Sequence, residues 1–226
     1  MREAQETTHR QPLVCLASGS PRRRAILEEL GIPYEFLSVD AGETVAATGR
    51  ETAEENASRK LMVGLRRVDQ GTVMIAADTV LEARGRLLGK PADEAMAAEY
   101  LQILSGSTAV AYSAVAAAVV GQTEGILATE TAEVHFKPLP PETIRWYLST
   151  GEPMGRAGAF GIGQLGEVLT ESVDGGYSCV SGLPKTALLA ALARVANGQW
   201  PDWLRNVPAA TVGPKVQLRP LALNPA

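Results

Sequence analysis

The chain has 226 residues, enough for one large domain or two small ones, and its 46% hydrophobic and 20% charged residues are ordinary for a soluble globular protein. A net charge of −4 excludes a global basic field for a nucleic-acid polymer, so any anion site must be built locally. Two cysteines, Cys15 and Cys179, are too few for a disulfide framework and fit a reducing compartment, and His9 and His135 are too few and too separated for a His-based zinc site.

Residues 1–12 are polar and read as an N-terminal tail. The apolar run after them is too short for a secretory signal. Leu13 to Ala17 reads as a short buried strand. A helix is expected over Pro21 to Leu30, with Ser20 as N-cap, Pro21 at the first helical position and Gly31 as the stop. A second helix is expected over 52–68, with Ala57, Leu61 and Leu65 on one face. Val73 to Ala77 reads as a buried strand ending in Asp78-Thr79, followed by a turn through Gly85 to Gly89-Lys90-Pro91. A third helix spans Asp93 to Leu104, with Met96, Tyr100, Ile103 and Leu104 inward and Gly106 ending it.

Residues 108–120 and 126–136 predict a long antiparallel hairpin. In the second strand Ala128, Ala132, Val134 and Phe136 alternate with Thr129, Thr131, Glu133 and His135, so one face is expected in water. The apolar stretch 109–120 is too short, and too interrupted by Tyr112 and Ser113, to span a bilayer. Pro141 to Leu148 reads as a helix, Glu167 to Val173 and Tyr177 to Val180 as strands, and Leu183 to Ala196 as a last amphipathic helix stopped near Gly198. Residues 201–226 are expected to be an irregular proline-rich tail, with Trp200 and Trp203 near its start, so the domain is drawn over 13–200. The order of elements predicts an α/β fold with a mixed sheet, in a cytoplasmic protein without a membrane partner.

Three arginines, Arg22 to Arg24, crowd the first turn of the first helix, where the helix dipole disfavours cations. Arg23 shares a face with Ile26, Leu27 and Leu30, so it runs along the core side of the helix mouth, with Arg22 beside it. Spacing alone leaves two readings, an anion site on free N–H groups and guanidinium forks or a solvated basic turn. Asp78 at a strand end reads either as a ligand-side carboxylate or as a turn-forming residue. Asp40 and Glu43, in a loop, could join it as oxygen ligands for a magnesium-like ion.

Two motifs match by letter only. Gly161-Ile162-Gly163-Gln164-Leu165-Gly166 fits a dinucleotide fingerprint, but no βαβ unit surrounds it and EVLTESV after it reads as a strand. The stretch from Gly85 to Pro91 resembles a phosphate-binding loop with its glycines one residue too close and proline in place of the magnesium-binding hydroxyl.

The segments LASGSPRRRAILEELGI, ASRK, AADTV, LLGKP, LSGS, STGEPMGRAGAFGI and DGGYSCVSGLP occur in order, and together they resemble the Maf family of nucleoside triphosphate pyrophosphatases over residues 13–192. The resemblance implies an elongated α/β fold with a mixed sheet, two lobes around a central cleft, an architecture like inosine triphosphatase, and a homodimer. It implies hydrolysis of a nucleoside triphosphate to the monophosphate and pyrophosphate with a divalent cation (magnesium, manganese or cobalt). By the family's motifs, Ser18, Arg22, Arg23, Lys60, Thr79 and Gln164 would bind substrate. Asp78, Glu43 and Lys90 would be catalytic, with Asp78 and Glu43 holding the metal. The cations would neutralise a triphosphate of about four negative charges.

The sequence departs from the family pattern at Gly163-Gln164, where the usual glutamine is displaced by one residue. It departs also at Gly155-Arg156, where many members carry Asp-Lys, and at Asp40 to Glu43, where an acidic pair is split. The Ser-Pro-Arg-Arg form resembles the branch acting on dTTP and UTP. A 7-methyl-GTP pyrophosphatase and a non-catalytic nucleotide-binding regulator of cell division are the alternatives.

Overall fold

A computed structural model describes residues 14–196 and 215–223. The expected N-terminal tail, Leu13, the helix stop near Gly198, Trp200, Trp203 and most of the expected C-terminal tail lie outside the described residues.

The chain begins with strand β1 (Val14–Leu16), helix α1 (Pro21–Glu29) and strand β2 (Tyr34–Phe36), and continues with helix α2 (Gly49–Leu65) and strand β3 (Val73–Ala83). A turn through Arg84 and Gly85, both at positive φ, leads into β4 (Arg86–Leu88). Helix α3 (Glu94–Leu104) precedes the long hairpin β5 (Thr108–Val119) and β6 (Glu124–Phe136). Then come α4 (Pro141–Ser149), β7 (Thr170–Asp174), α5 (Tyr177–Ser181), α6 (Lys185–Val195) and β8 (Val216–Ala222).

The strands form one mixed sheet in the order β2-β1-β3-β5-β6-β7, with β4 beside β3 and β8 beside β6. Among the described residues only the β1 pairings to β2 and β3 are parallel. This is the α/β mixed sheet that the sequence predicts.

The sheet is split beside β3. Strand β1 pairs with Val73 to Ile75 and then turns away, while β4 pairs on that side from Leu81 onward. Among the described residues no strand covers 76–80 there, although β5 pairs with the whole opposite edge. Apolar packing follows the split. α1 and α6 cover one face of the β1–β3–β5–β6 end through Leu27, Leu188 and Ala191, and α2 covers the other through Ala57 and Leu61. A separate cluster beyond the split gathers Leu81, Leu101, Phe136, Tyr147 and Phe160. Each such buried leucine or phenylalanine contributes about 1.5–3 kcal/mol, so both ends of the sheet are anchored and the gap lies between two cores.

Several expectations are corrected. The strand carrying Asp78 does not end there but runs on to Ala83, because Thr79 to Ala83 stay paired to β5. Helix α2 starts three residues early, where the Thr48 hydroxyl accepts from the Glu51 N–H at 3.2 Å. In α3 the fully buried residues are Ala97, Leu101 and Leu104, with Met96, Tyr100 and Ile103 half-buried. Tyr177 to Ser181 is a helix, bounded by Gly176 and by Gly182 at φ 110, and Leu165–Leu169 is a 3-10 turn ahead of β7. Thr129 and Glu130 are buried, so only the later part of β6 has a face in water.

The expected irregular tail contains strand β8, which pairs antiparallel with β6 from Glu124 to Glu130. Its edge position tolerates Pro220, and Arg219 anchors it to Glu54 of α2 at 2.6 Å. Both cysteines are free and buried, and burial pushes the Cys179 thiol well up.

Candidate active site

A cleft of about 530 Å³ opens at the gap beside β3. Side chains alternate along a strand, and Met74, Ala76 and Val80 belong to the face covered by α2, so Asp78 points to that face as well. Thr79 points to the other face, where its hydroxyl lies 2.7 Å from the Ser113 hydroxyl. Both nevertheless line the cleft, because it wraps the uncovered edge of the strand.

Asp78 is 6% exposed. Its Oδ1 accepts from the Lys60 ammonium at 2.6 Å and its Oδ2 from the Asn56 amide at 3.4 Å. Asn56 and Lys60 are four residues apart on α2 and so lie on one helix face. Lys60 also reaches Glu43 at 3.4 Å, and Lys90 reaches the same Glu43 oxygen at 2.8 Å. The hydrogen bond from Lys90, with the charges of both lysines, holds the Glu43 carboxyl below the usual range despite partial burial.

Asn56 fixes the loop that carries Glu43. Its side-chain oxygen accepts from the Thr44 N–H at 2.9 Å, and its amide donates to the Thr44 carbonyl at 3.1 Å. One buried amide thus ties the Glu43 loop, α2 and Asp78 together.

The mouth of α1 supplies the opposing charge. Ser20 sits at the N-cap but its side chain makes no capping bond, and no acidic residue stands in the first turn. The Ser18 hydroxyl instead accepts from the Ser20 N–H at 3.2 Å and from Arg23 Nη1 at 3.2 Å. The first-turn N–H groups therefore lack the side-chain partner that such positions usually have, which favours an anion. Arg23 also donates through Nε to the Gly182 carbonyl at 2.8 Å, which turns its guanidinium inward. Burial lowers the Arg23 guanidinium, and Asp78 and Glu43 raise it again. Arg24 faces elsewhere, over the Phe36 ring at 4.3 Å.

Ser18, Arg22, Arg23, Glu43, Lys60, Asp78, Thr79 and Lys90, all named from the sequence, line this one cleft. Gln164 does not line it, and accepts a short hydrogen bond from Arg156, which does. Asp40 is held in its own loop, its carboxylate accepting from the Gly42 N–H at 3.1 Å, and is not part of the cleft lining. Sequence reasoning missed Asn56 and gave Arg156 no role. The spacing of Asn56 to Lys60 carried a signal for the first, while the second needed the loop's path.

Five cationic side chains (Arg22, Arg23, Lys60, Lys90 and Arg156) face two carboxylates (Glu43 and Asp78), a net charge of +3 inside a chain whose total is −4. A partly enclosed cleft focuses such a field on an anion. Fold and site together define a mixed-sheet α/β protein with a local polyanion cleft built around a buried carboxylate.

Comparison with known proteins agrees with that class. The model of the Maf-like protein family matches residues 13–195, and the chain belongs to this family. A protein named dTTP/UTP pyrophosphatase from Syntrophomonas wolfei subsp. wolfei is 39% identical over 181 residues, covering 79% of this chain and 95% of the relative. One of the same name from Halalkalibacterium halodurans is 37% identical over 183 residues, covering 80% and 95%. Another from Bacillus cereus is 33% identical over 180 residues, covering 79% and 93%.

Proposed function

We propose that this protein hydrolyses a nucleoside triphosphate, of the dTTP or UTP type, to the nucleoside monophosphate and pyrophosphate, with a divalent cation, as a housecleaning enzyme of the nucleotide pool. The observation that carries the reading is the cluster in which Lys60 bridges Asp78 and Glu43 at 2.6 and 3.4 Å, beside the arginine-lined mouth of α1. The names of the relatives support the substrate class.

The donor set fits a hard cation. Asp78 and Glu43 already converge on one positive charge, the Lys60 ammonium. Among the described residues no group of three or more His, Cys, Asp or Glu side chains could hold a metal. Two carboxylates, with the remaining positions left to phosphate oxygens and water, is the usual arrangement for magnesium. When bound there, a magnesium-, manganese- or cobalt-class ion would polarise a phosphoryl oxygen.

The chain's own residues do the rest. The N–H groups at the mouth of α1, with Arg22 and Arg23, bind phosphate oxygens and fix the chain of phosphates along the cleft. Lys90 and Lys60 neutralise the charge that builds on the departing pyrophosphate. Asp78, buried and oriented by Asn56, accepts a proton from the attacking water at the α phosphorus. Glu43 stays ionised into mildly acidic solution, because Lys90 and Lys60 hold its carboxyl low.

A homodimer and a cytoplasmic location complete the reading. Among the described residues no helix is long and apolar enough to cross a membrane. The test is a panel of triphosphates with magnesium, manganese or cobalt. Pyrophosphate release, fastest with dTTP or UTP, is the expected result. Tight binding without turnover would leave a nucleotide-binding regulator in its place, and fastest turnover of 7-methyl-GTP would move the chain to that branch.

A further inference from the structure

The edge of β6 is closed by two strands. β7 pairs with it over Glu133 to Phe136, and β8 pairs with it over Glu124 to Glu130. β8 lies beyond residues 13–195, the part of the chain that matches the family model. Both ends of β8 are pinned. The Leu223 N–H donates to the Thr123 carbonyl at 3.0 Å, and the Thr131 N–H donates to the Lys215 carbonyl at 3.2 Å. The Lys215 ammonium lies 2.9 Å from the Asp174 carboxylate. Cross-strand partners share a face, so Arg219, opposite Leu127, lies on the face that α2 covers, and Leu221 and Leu223 pack into the core there.

Glu54 of α2 is where this strand takes hold. Its side chain is 12% exposed. Its Oε2 accepts from Arg219 Nη2 at 2.6 Å, and its Oε1 accepts from the Thr129 hydroxyl of β6 at 2.8 Å. Arg50 stands at 3.8 Å, beyond hydrogen-bond reach. A carboxylate this shielded depends on its bonded cation more than one in open solvent does. Thr52 and Asn56, two residues to either side of Glu54, hold a different partner. Thr52 Oγ1 accepts from the Ala46 N–H at 2.9 Å, and Asn56 bonds Thr44 and Asp78. Two residues along a helix turn the side chain by about 200°. The first half of α2 is therefore held between β8 on one side and the Glu43 loop on the other.

We propose that β8 is a strap on the helix that carries Asn56 and Lys60, and that Arg219, acting through Glu54, is a positioning residue for the Glu43 loop and Asp78. The strap is a property of the fold and stands apart from the reaction. Its effect on turnover rests on the function argued above.

The test uses the full chain, with amide hydrogen exchange read by NMR beside the kinetics of dTTP hydrolysis. Wild type is compared with Arg219→Ala, Arg219→Lys and Gln217→Ala, the last an exposed position on the same strand. In Arg219→Ala the Thr44 and Ala46 amides and those of the first half of α2 should exchange about tenfold faster, while β1 and α6 keep their rates. The kcat should fall about two- to fivefold, with KM changed less. Lysine at 219 should recover part of both losses, since it restores the charge without the fork, and it carries the test if Arg219→Ala fails to fold. Gln217→Ala should change neither. Unchanged exchange at Thr44 and Ala46 in folded Arg219→Ala, a uniform rise over the whole chain, or an equal effect of Gln217→Ala would overturn the strap. Faster exchange with unchanged kcat would sink the positioning role and leave the enzymatic reading standing. Faster exchange in a chain whose wild type releases no pyrophosphate would leave the strap and sink that reading.

Discussion

The two ends of the cleft are charged in opposite manners. At the Asp78 end every charge has a partner: Lys60 serves Asp78 and Glu43, Lys90 serves Glu43, and Asn56 braces the set. At the Arg22 end two cations stand together, and the nearby Glu152 is occupied by the loop that it holds. A closed ionic network can hold reactive groups in place before any ligand arrives, which is the pre-organisation that chemistry needs. At the Arg22 end Arg22 and Arg156 outnumber the single carboxylate of Glu152, 3.9 Å from Arg156, so that end is left with positive charge for an anion and serves affinity. Changes at the first end should therefore strike kcat, and changes at the second should strike KM.

The largest expected effect is at Asp78. Asp78→Asn keeps the size and the Asn56 contact region but removes the charge and the proton acceptor. We expect kcat to fall by about 10²–10⁴-fold, with triphosphate binding retained. A variant with full kcat would move the chemistry away from Asp78 and erase the contrast between the two ends.

A smaller effect is expected for Asn56→Ala. It removes four hydrogen bonds of a residue that is 3% exposed, strands the Thr44 backbone groups and frees the Glu43 loop. Stability should drop by about 1–3 kcal/mol in denaturant melts, and kcat should fall more than KM rises. A loss in KM alone would show that the brace serves binding rather than the reacting groups.

The smallest effect is the pH response of Glu43. Its folded carboxyl is lowered, chiefly by the Lys90 hydrogen bond, so the stabilisation is present above the unfolded value and is lost as pH falls through the lowered folded value. The acid limb of kcat/KM should accordingly lie below the ordinary glutamate range. Lys90→Met should move it upward, and only modestly, since the pair is exposed to solvent. An acid limb that does not respond to Lys90 would place the controlling group elsewhere.

Much of the first end was legible in the sequence and little of the second. Lys60, Asp78, Glu43 and Lys90 belong to short motifs whose spacing survives folding. The apolar run before Asp78 placed it on a buried strand, yet the run could not tell that β1 leaves the sheet after Leu16 while β3 continues, because strand pairing is a long-range property. The gap that makes the cleft arises from that mismatch.

Arg156 gave no comparable signal. It follows Gly155 in a loop without periodicity, and its place beside Arg22 depends on Gly161, Gln164 and Glu152 all folding around it. Strand β8 was hidden for a different reason. Prolines and charges that mark an irregular tail are also what an exposed edge strand carries, and only the partner edge of β6 distinguishes the two.

In the proposed reaction water, oriented by Asp78, attacks the phosphorus nearest the sugar. Hydrolysis of dTTP or UTP in ¹⁸O-enriched water, followed by mass spectrometry of both products, locates the phosphorus attacked. Attack at the α phosphorus leaves one ¹⁸O atom in the nucleoside monophosphate and none in the pyrophosphate. Label in pyrophosphate, or in orthophosphate released from the far end, would contradict it.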